Sequence, residues 1–176
     1  ECRNAMRYTK LDKIYEATFR LGQTSTTGDP EGEITPYVAN SNLQNETQVP
    51  SISKQPDMAV IKSVLAQFVG DIKQRPPAFS AIKINGQRAY KLARSGKKID
   101  IPERTVTIYA LELLDYAYPL LKVRAHVSSG TYIRSLAVDI GEALNTGAYC
   151  QELRRTQIAD WQVSQAQKLA DFGVES

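Results

Sequence analysis

A chain of 176 residues that is 42% apolar and 23% charged has enough hydrophobic material for one folded domain and is too apolar for a disordered polymer. No apolar run nears the roughly 20 residues that a membrane-crossing helix needs, so no membrane partner is expected. The net charge of +3 hides an uneven distribution: nine Lys/Arg and two Asp/Glu lie between Lys73 and Arg104, while the remainder carries a net −4. A local basic excess of this kind suits a surface that faces a polyanion. Cys2, Cys150 and the single His126 make neither a disulfide framework nor a structural zinc set, and a cytoplasmic location is the default expectation.

Residues 1–12 are polar and weakly patterned. From Ile14 to Leu21 the sequence alternates, with Tyr15, Ala17, Phe19 and Leu21 on one face, which predicts a half-buried strand. A core tyrosine whose hydroxyl finds a partner is the simplest reading of Tyr15. The turn-rich segment Gly22–Gly32 should lead to a second strand at Glu33–Val38. Residues 40–55 read as a polar surface loop. Asp57 should cap a helix whose Ile61, Val64, Leu65 and Phe68 face the core and which Gly70 ends.

The double proline at Pro76-Pro77 breaks any regular element. A short strand at Phe79–Ile84 should turn at Asn85-Gly86 into a short helix with Ala89, Leu92 and Ala93 inward and Gly96 as its stop. Arg88, Lys91, Arg94, Lys97 and Lys98 then point outward. So few apolar residues bury little, and the segment reads as a basic projection able to grip phosphates. Strands are expected at Arg104–Leu114 and at Leu121–Ser128, with a turn at Asp115–Pro119 between them and His126 on the polar face.

Small residues at Ser128-Ser129-Gly130-Thr131 then hand over to a helix from about Tyr132 to Leu144. Ile133, Leu136, Ala137, Ile140 and Leu144 form its apolar stripe and Gly147 its stop. Arg134 falls in the first turn, where the helix dipole disfavours a cation. A carboxylate held by its planar fork and a phosphate bound by the amides of Gly130 and Thr131 are both candidate neighbours. Leu153-Arg154-Arg155 should end a strand, Ile158, Trp161 and Val163 should continue at an edge, and Ser164 should cap a short helix.

Five ordered pieces of this sequence resemble the TruB-type tRNA pseudouridine-55 synthase family. They are Lys13-Ile14-Tyr15 leading to Leu21-Gly22; Thr24 to Gly32; Gln74-Arg75-Pro76-Pro77-Ala78-Phe79-Ser80-Ala81-Ile82-Lys83 with Gly86, Tyr90 and Ala93-Arg94-Ser95-Gly96; Ser129-Gly130-Thr131-Tyr132-Ile133-Arg134 with Asp139 and Gly141; and Gly147-Ala148 followed by Leu153-Arg154-Arg155. The resemblance implies an α+β fold: a central mixed, mainly antiparallel sheet flanked by helices, with a basic thumb-like insertion over about 74–102. The whole of 1–176 would form one partial catalytic domain.

The activity implied is isomerisation of a specific uridine in the T arm of tRNA, without cofactor or metal, by a cytoplasmic and monomeric enzyme. By position, Tyr15 would stack on the target base, Arg134 would fix the catalytic aspartate, and Tyr132 and Leu153 would line the pocket. Lys83, Arg88, Tyr90, Arg94 and Arg154 would contact the RNA. The family's aspartate lies upstream of the tyrosine strand, so it is expected to be absent from this chain, which alone should be inactive. Asp29 follows Tyr15 in a hairpin segment, Asp139 is a helix position, and neither is expected to replace it. Ala159 stands where the family usually has glycine, and the small C-terminal RNA-binding domain of many members is not expected here. The alternative is a non-catalytic RNA-binding module built on the same fold.

Overall fold

Alternation of apolar and polar residues organises the molecule. The computed structural model describes residues 9–38, 55–77, 80, 83–84, 87–88 and 101–166. Strand β1 (Lys13–Leu21) is the middle of a six-stranded sheet, flanked by β9 (Ala148–Ile158) and β8 (Leu120–Val127). Outward from these run β10 (Trp161–Gln162) on one side, and β7 (Arg104–Ala117) then β4 (Gly70–Gln74) on the other. Every pairing in the sheet is antiparallel. The hairpin of β2 (Gln23–Ser25) and β3 (Ile34–Pro36) forms a separate small sheet. Strands β5 (Lys83–Ile84) and β6 (Gln87–Arg88) pair antiparallel, and the Asn-Gly turn expected between them lies outside the described residues. The helix expected after that turn, with Tyr90 and Arg94, lies outside the described residues.

The period of two is carried through to burial. Ala17, Phe19 and Leu21 on β1 and Leu121, Val123, Ala125 and Val127 on β8 are buried. Helices α1 (Met58–Gln67) and α2 (Ile133–Ala143) contribute Ile61, Val64 and Leu65, and Ile133, Leu136, Ala137 and Ile140, to the same core. The opposite face of the sheet is polar: Arg124 pairs with Glu16 at 2.9 Å and Glu112 at 3.4 Å, and Thr18 donates to Glu152 at 3.0 Å. Exposed pairs of this kind add little stability but keep that face wet.

Several boundaries differ from the sequence reading. The residues after Gly70, to which the sequence reading assigned no element, form edge strand β4, because Gly70–Gln74 can pair with Arg104–Ile108. Asp57 occupies the α1 N-cap position, but its side chain makes no capping bond. The left-handed residue just beyond α2 is Asn145 (φ 54°), two residues before the expected Gly147. Ser164 sits inside a short 3-10 turn (Val163–Gln165) whose cap is Gln162. The turn from β9 to β10 holds Ala159 at φ 46°, which explains the glycine expected there: an L side chain in that conformation costs about 1 kcal/mol.

Candidate active site

The turn between β8 and α2 is built by backbone geometry. Gly130 adopts φ +87°, and the Thr131 hydroxyl donates to the Ser128 carbonyl at 2.9 Å. Gln74 at the end of β4 is buried and grips Tyr132 twice. Its Nε2 donates to the Tyr132 carbonyl at 3.1 Å, and its Oε1 accepts from the Tyr132 amide at 2.7 Å. That amide is at the helix start, where N–H groups lack partners within the helix. The Arg104 guanidinium lies over the Tyr132 ring, 5.1 Å from its centre. Gln74 was read from sequence only as the start of the basic insertion. The one signal that could have found it is an amide at an alternating, inward position of a strand.

Arg134, on the next turn of backbone, meets Asp29. Its Nη1 donates to Asp29 Oδ2, with the two side chains 25% and 16% exposed. Asp29 Oδ1 accepts from the Thr27 hydroxyl at 2.6 Å and from the Glu31 amide at 3.1 Å. Burial pushes the Asp29 carboxyl up, but Thr27, Arg134 and the Glu31 amide outweigh it and hold it below its ordinary value. The loop can approach this closely because residue 28 is glycine: φ is +75°, and an added Cβ would sit 3.5 Å from the Arg134 Cβ. The Cys150 amide donates to the Gly28 carbonyl at 2.9 Å, tying the loop to β9. Burial pushes the Cys150 thiol up to about 12, with Arg134 opposing the shift and Asp29 adding to it. Of the two neighbours considered for Arg134, the structure provides the carboxylate.

The strand register places the other expected residues. Tyr15 pairs with Arg155, and Ala17 with Leu153, so all four share the face against which α2 packs. Tyr15 is half-buried against the core, and its hydroxyl has no hydrogen-bond partner among the described residues, unlike the satisfied core tyrosine of the simplest sequence reading. Leu153 is 48% exposed. Arg134 is anchored near the Phe19–Cys150 pair, four residues along β1 from Tyr15, or about 13 Å at strand rise. Arg154 is turned to the other face beside Glu16 and lines a small cleft with Thr18 and Lys122. Arg155 is the arginine beside Tyr15. Lys83 and Arg88 are register partners in the β5–β6 pair.

A cleft of about 320 Å³ opens beside Arg134, between Thr26–Gly28, Arg75–Pro77 and the α2 face of Ser135, Val138 and Asp139. Tyr15 and Leu153 do not line it. Burial, then repulsion from Glu142, raises the Asp139 carboxyl to about 6. A raised carboxyl pKa means that folding favours the protonated form. Its linked stability is therefore lost as pH rises from about 4 through 6. Asp139→Asn should add about 1 kcal/mol at pH 7 after allowance for the open side of the cleft, and nothing below about pH 4. Urea titrations at the two pH values check this, and equal stability of both proteins at pH 7 would contradict it. Among the described residues, no group of three or more His, Cys, Asp or Glu is placed to hold a metal ion, and no helix is long and apolar enough to cross a membrane.

Residues 1–133 match the family model described as TruB family pseudouridylate synthase (N terminal domain). The chain belongs to the TruB family of pseudouridylate synthases. Residues 134–174 match the model for the tRNA pseudouridylate synthase B C-terminal domain. The border between the two falls after the first residue of α2, and β9 pairs with β1 across it, so both segments build one sheet. The chain is 44% identical to tRNA pseudouridine synthase B of Francisella tularensis subsp. novicida (strain U112) over 158 residues, covering 90% of this chain and 48% of that protein. Against the same-named protein of Francisella philomiragia subsp. philomiragia the figures are 44% over 155 residues, 88% and 47%. The chain thus spans about half the length of the curated relatives it matches. Among solved structures, a chain of a Cbf5-Nop10-Gar1 complex superposes with TM-score 0.59 at 25% identity, covering 91% of this chain and 34% of that one. A chain of an H/ACA RNP bound to a substrate RNA containing 2'-deoxyuridine superposes with TM-score 0.56 at 23% identity, covering 92% and 32%, a likeness of fold.

Proposed function

We propose that this TruB-family chain is part of the catalytic domain of an enzyme that isomerises a uridine to pseudouridine in the T arm of tRNA, without a cofactor, as a monomer in the cytoplasm. The observation that carries the reading is the fixed guanidinium of Arg134, on the sheet face that also bears Tyr15 and Leu153. The target uridine is first taken out of its stack. Its base then lies on the Tyr15 ring, with Leu153 and Tyr132 closing the sides. The N1–C1′ bond breaks, the uracil turns while held, C5 bonds to C1′, and the C5 proton leaves as N1 gains one. Atoms and electrons balance without an external redox partner.

Arg134 presents charge to the reacting carboxylate through charge-assisted hydrogen bonds. Asp29 is not that carboxylate. Both its oxygens are already accepting, from Thr27 and Glu31 on one side and Arg134 on the other, and a carboxylate whose charge is spent on these bonds is a weakened nucleophile. Asp29 is instead a positioning residue, which orients Arg134. Asp139 is desolvated and raised toward its protonated form, a poor nucleophile. The reacting aspartate then comes from the part of the family's domain that this chain does not match.

The test joins this chain to the unmatched half of the Francisella tularensis relative and measures release of the C5 hydrogen from labelled uridine in a T-arm stem-loop. Turnover by the chimera and none by the 176-residue chain alone is expected. Turnover by the chain alone would place the nucleophile within it. Tight RNA binding without turnover in the chimera would favour the RNA-binding module.

A further inference from the structure

Beyond Tyr15, toward the β10 edge, the register builds a second surface on the same face. Arg155 is opposite Tyr15, Ile158 is opposite Lys13, and Trp161 is opposite Ile158. Opposed residues point to one side of a sheet, and Lys13 and Tyr15, two apart on β1, share that side. Trp161 is 66% exposed. A cleft of about 220 Å³ opens between it and Arg155, lined also by Thr156, Gln157, Ile158, Gln162 and Val163, with no carboxylate among the described residues that line it. The acidic residues of this region, Asp12 and Asp160, line a separate cleft with Ile14 and His126, which the alternation turns to the other face.

Lys13 donates to the Thr9 and Leu11 carbonyls, at 3.2 and 2.5 Å. Burial, then repulsion from Arg155, lowers its pKa, with Asp12 opposing. The two cations are thus close enough to feel each other. A large exposed aromatic beside paired cations is an unusual surface. An apolar protein segment laid on it would cover the exposed part of the indole and leave two neighbouring charges facing it. A nucleotide suits both, with a flat base for the exposed indole surface and a phosphate for the cations.

We propose that Trp161, Arg155 and Lys13 form a second nucleotide station, in which the indole stacks on a base neighbouring the target uridine and the two cations hold its phosphate. The station rests on the reading of this chain as an RNA-modifying domain. It fixes the direction in which the strand leaves Tyr15, and so selects for an unpaired neighbour, since a base in a duplex has no free face to offer.

Trp161 is the single tryptophan of the chain, so its emission reports on the station directly. Titration with a T-arm stem-loop should quench that emission in step with binding followed by anisotropy of labelled RNA. Trp161→Ala should weaken binding about tenfold, and Trp161→Phe, which keeps a ring, much less. Arg155→Gln, an exposed change, should lower the slope of log affinity against log salt by about one. Unquenched emission and unchanged affinity in Trp161→Ala would overturn the station while leaving the RNA reading intact. Emission that follows protein concentration instead of RNA would overturn it in favour of a face covered by protein. Absence of any RNA binding would overturn both.

Discussion

Arg134→Met should lower stability by about 2 kcal/mol, because it strands a carboxylate that is mostly out of solvent and removes the partner that stabilises its charge. The loss should depend on pH in a defined direction. Asp29 is held below its ordinary value in the folded chain. Its contribution is therefore complete above the unfolded carboxylate pKa of about 4 and fades as pH falls through the lower folded value. The variant should lack the part of this acid-side loss that Arg134 causes, so the two stability curves should converge as pH falls through that lower folded value. Arg134→Lys should recover part of the stability, since an ammonium supplies charge without the planar fork. A cycle with Asp29→Asn should return a coupling of about 1–2 kcal/mol. In a catalytically competent chimera, Arg134→Met should abolish turnover while changing RNA affinity only a few-fold, because Arg134 acts on the carboxylate. Additive effects of the two substitutions, or equal losses in binding and turnover, would contradict this account.

Gly141→Ala should cost about 3 kcal/mol, at the upper end for overpacking a core. An added Cβ on this α2 glycine would sit 2.2 Å from the Ala148 nitrogen and 2.4 Å from the Gly147 carbonyl carbon. Both are backbone atoms and cannot rotate aside. The neighbouring backbone amides of Thr146 and Gly147 donate to the Gly141 carbonyl, each at 3.0 Å, so lifting α2 also strains these bonds. The helix that moves carries Arg134 eleven angstroms away by its rise, about 1.5 Å for each of seven residues. Urea midpoints should therefore fall, and in the chimera turnover should fall with them. A loss under about 1 kcal/mol would mean that α2 and β9 separate more easily than their contact allows.

The central sheet was legible because its strands alternate cleanly: Phe19 and Leu121 pair across β1 and β8, both fully buried. The stripe of α2 was legible for the same reason at helical period. Strand β4 was not, since five residues containing Asp71, Lys73 and Gln74 carry little apolar signal, and its place is set by pairing with β7, about thirty residues on. The Asp29–Arg134 contact joins residues 105 apart, and no local rule connects them; only the turn chemistry around Gly28 hinted that the loop approaches something. The side of the sheet that Arg155 faces could have been found by counting two residues from Leu153. Trp161 appeared only as an edge residue, because its neighbours are set by register.

The most direct test of the site is to place 4-thiouridine at the target position of a T-arm stem-loop, irradiate its complex with this chain, and map the attached residue by mass spectrometry. The account predicts attachment at Tyr15, Tyr132 or Leu153. Attachment on the opposite face, at Glu16, Lys122 or Arg124, would contradict it.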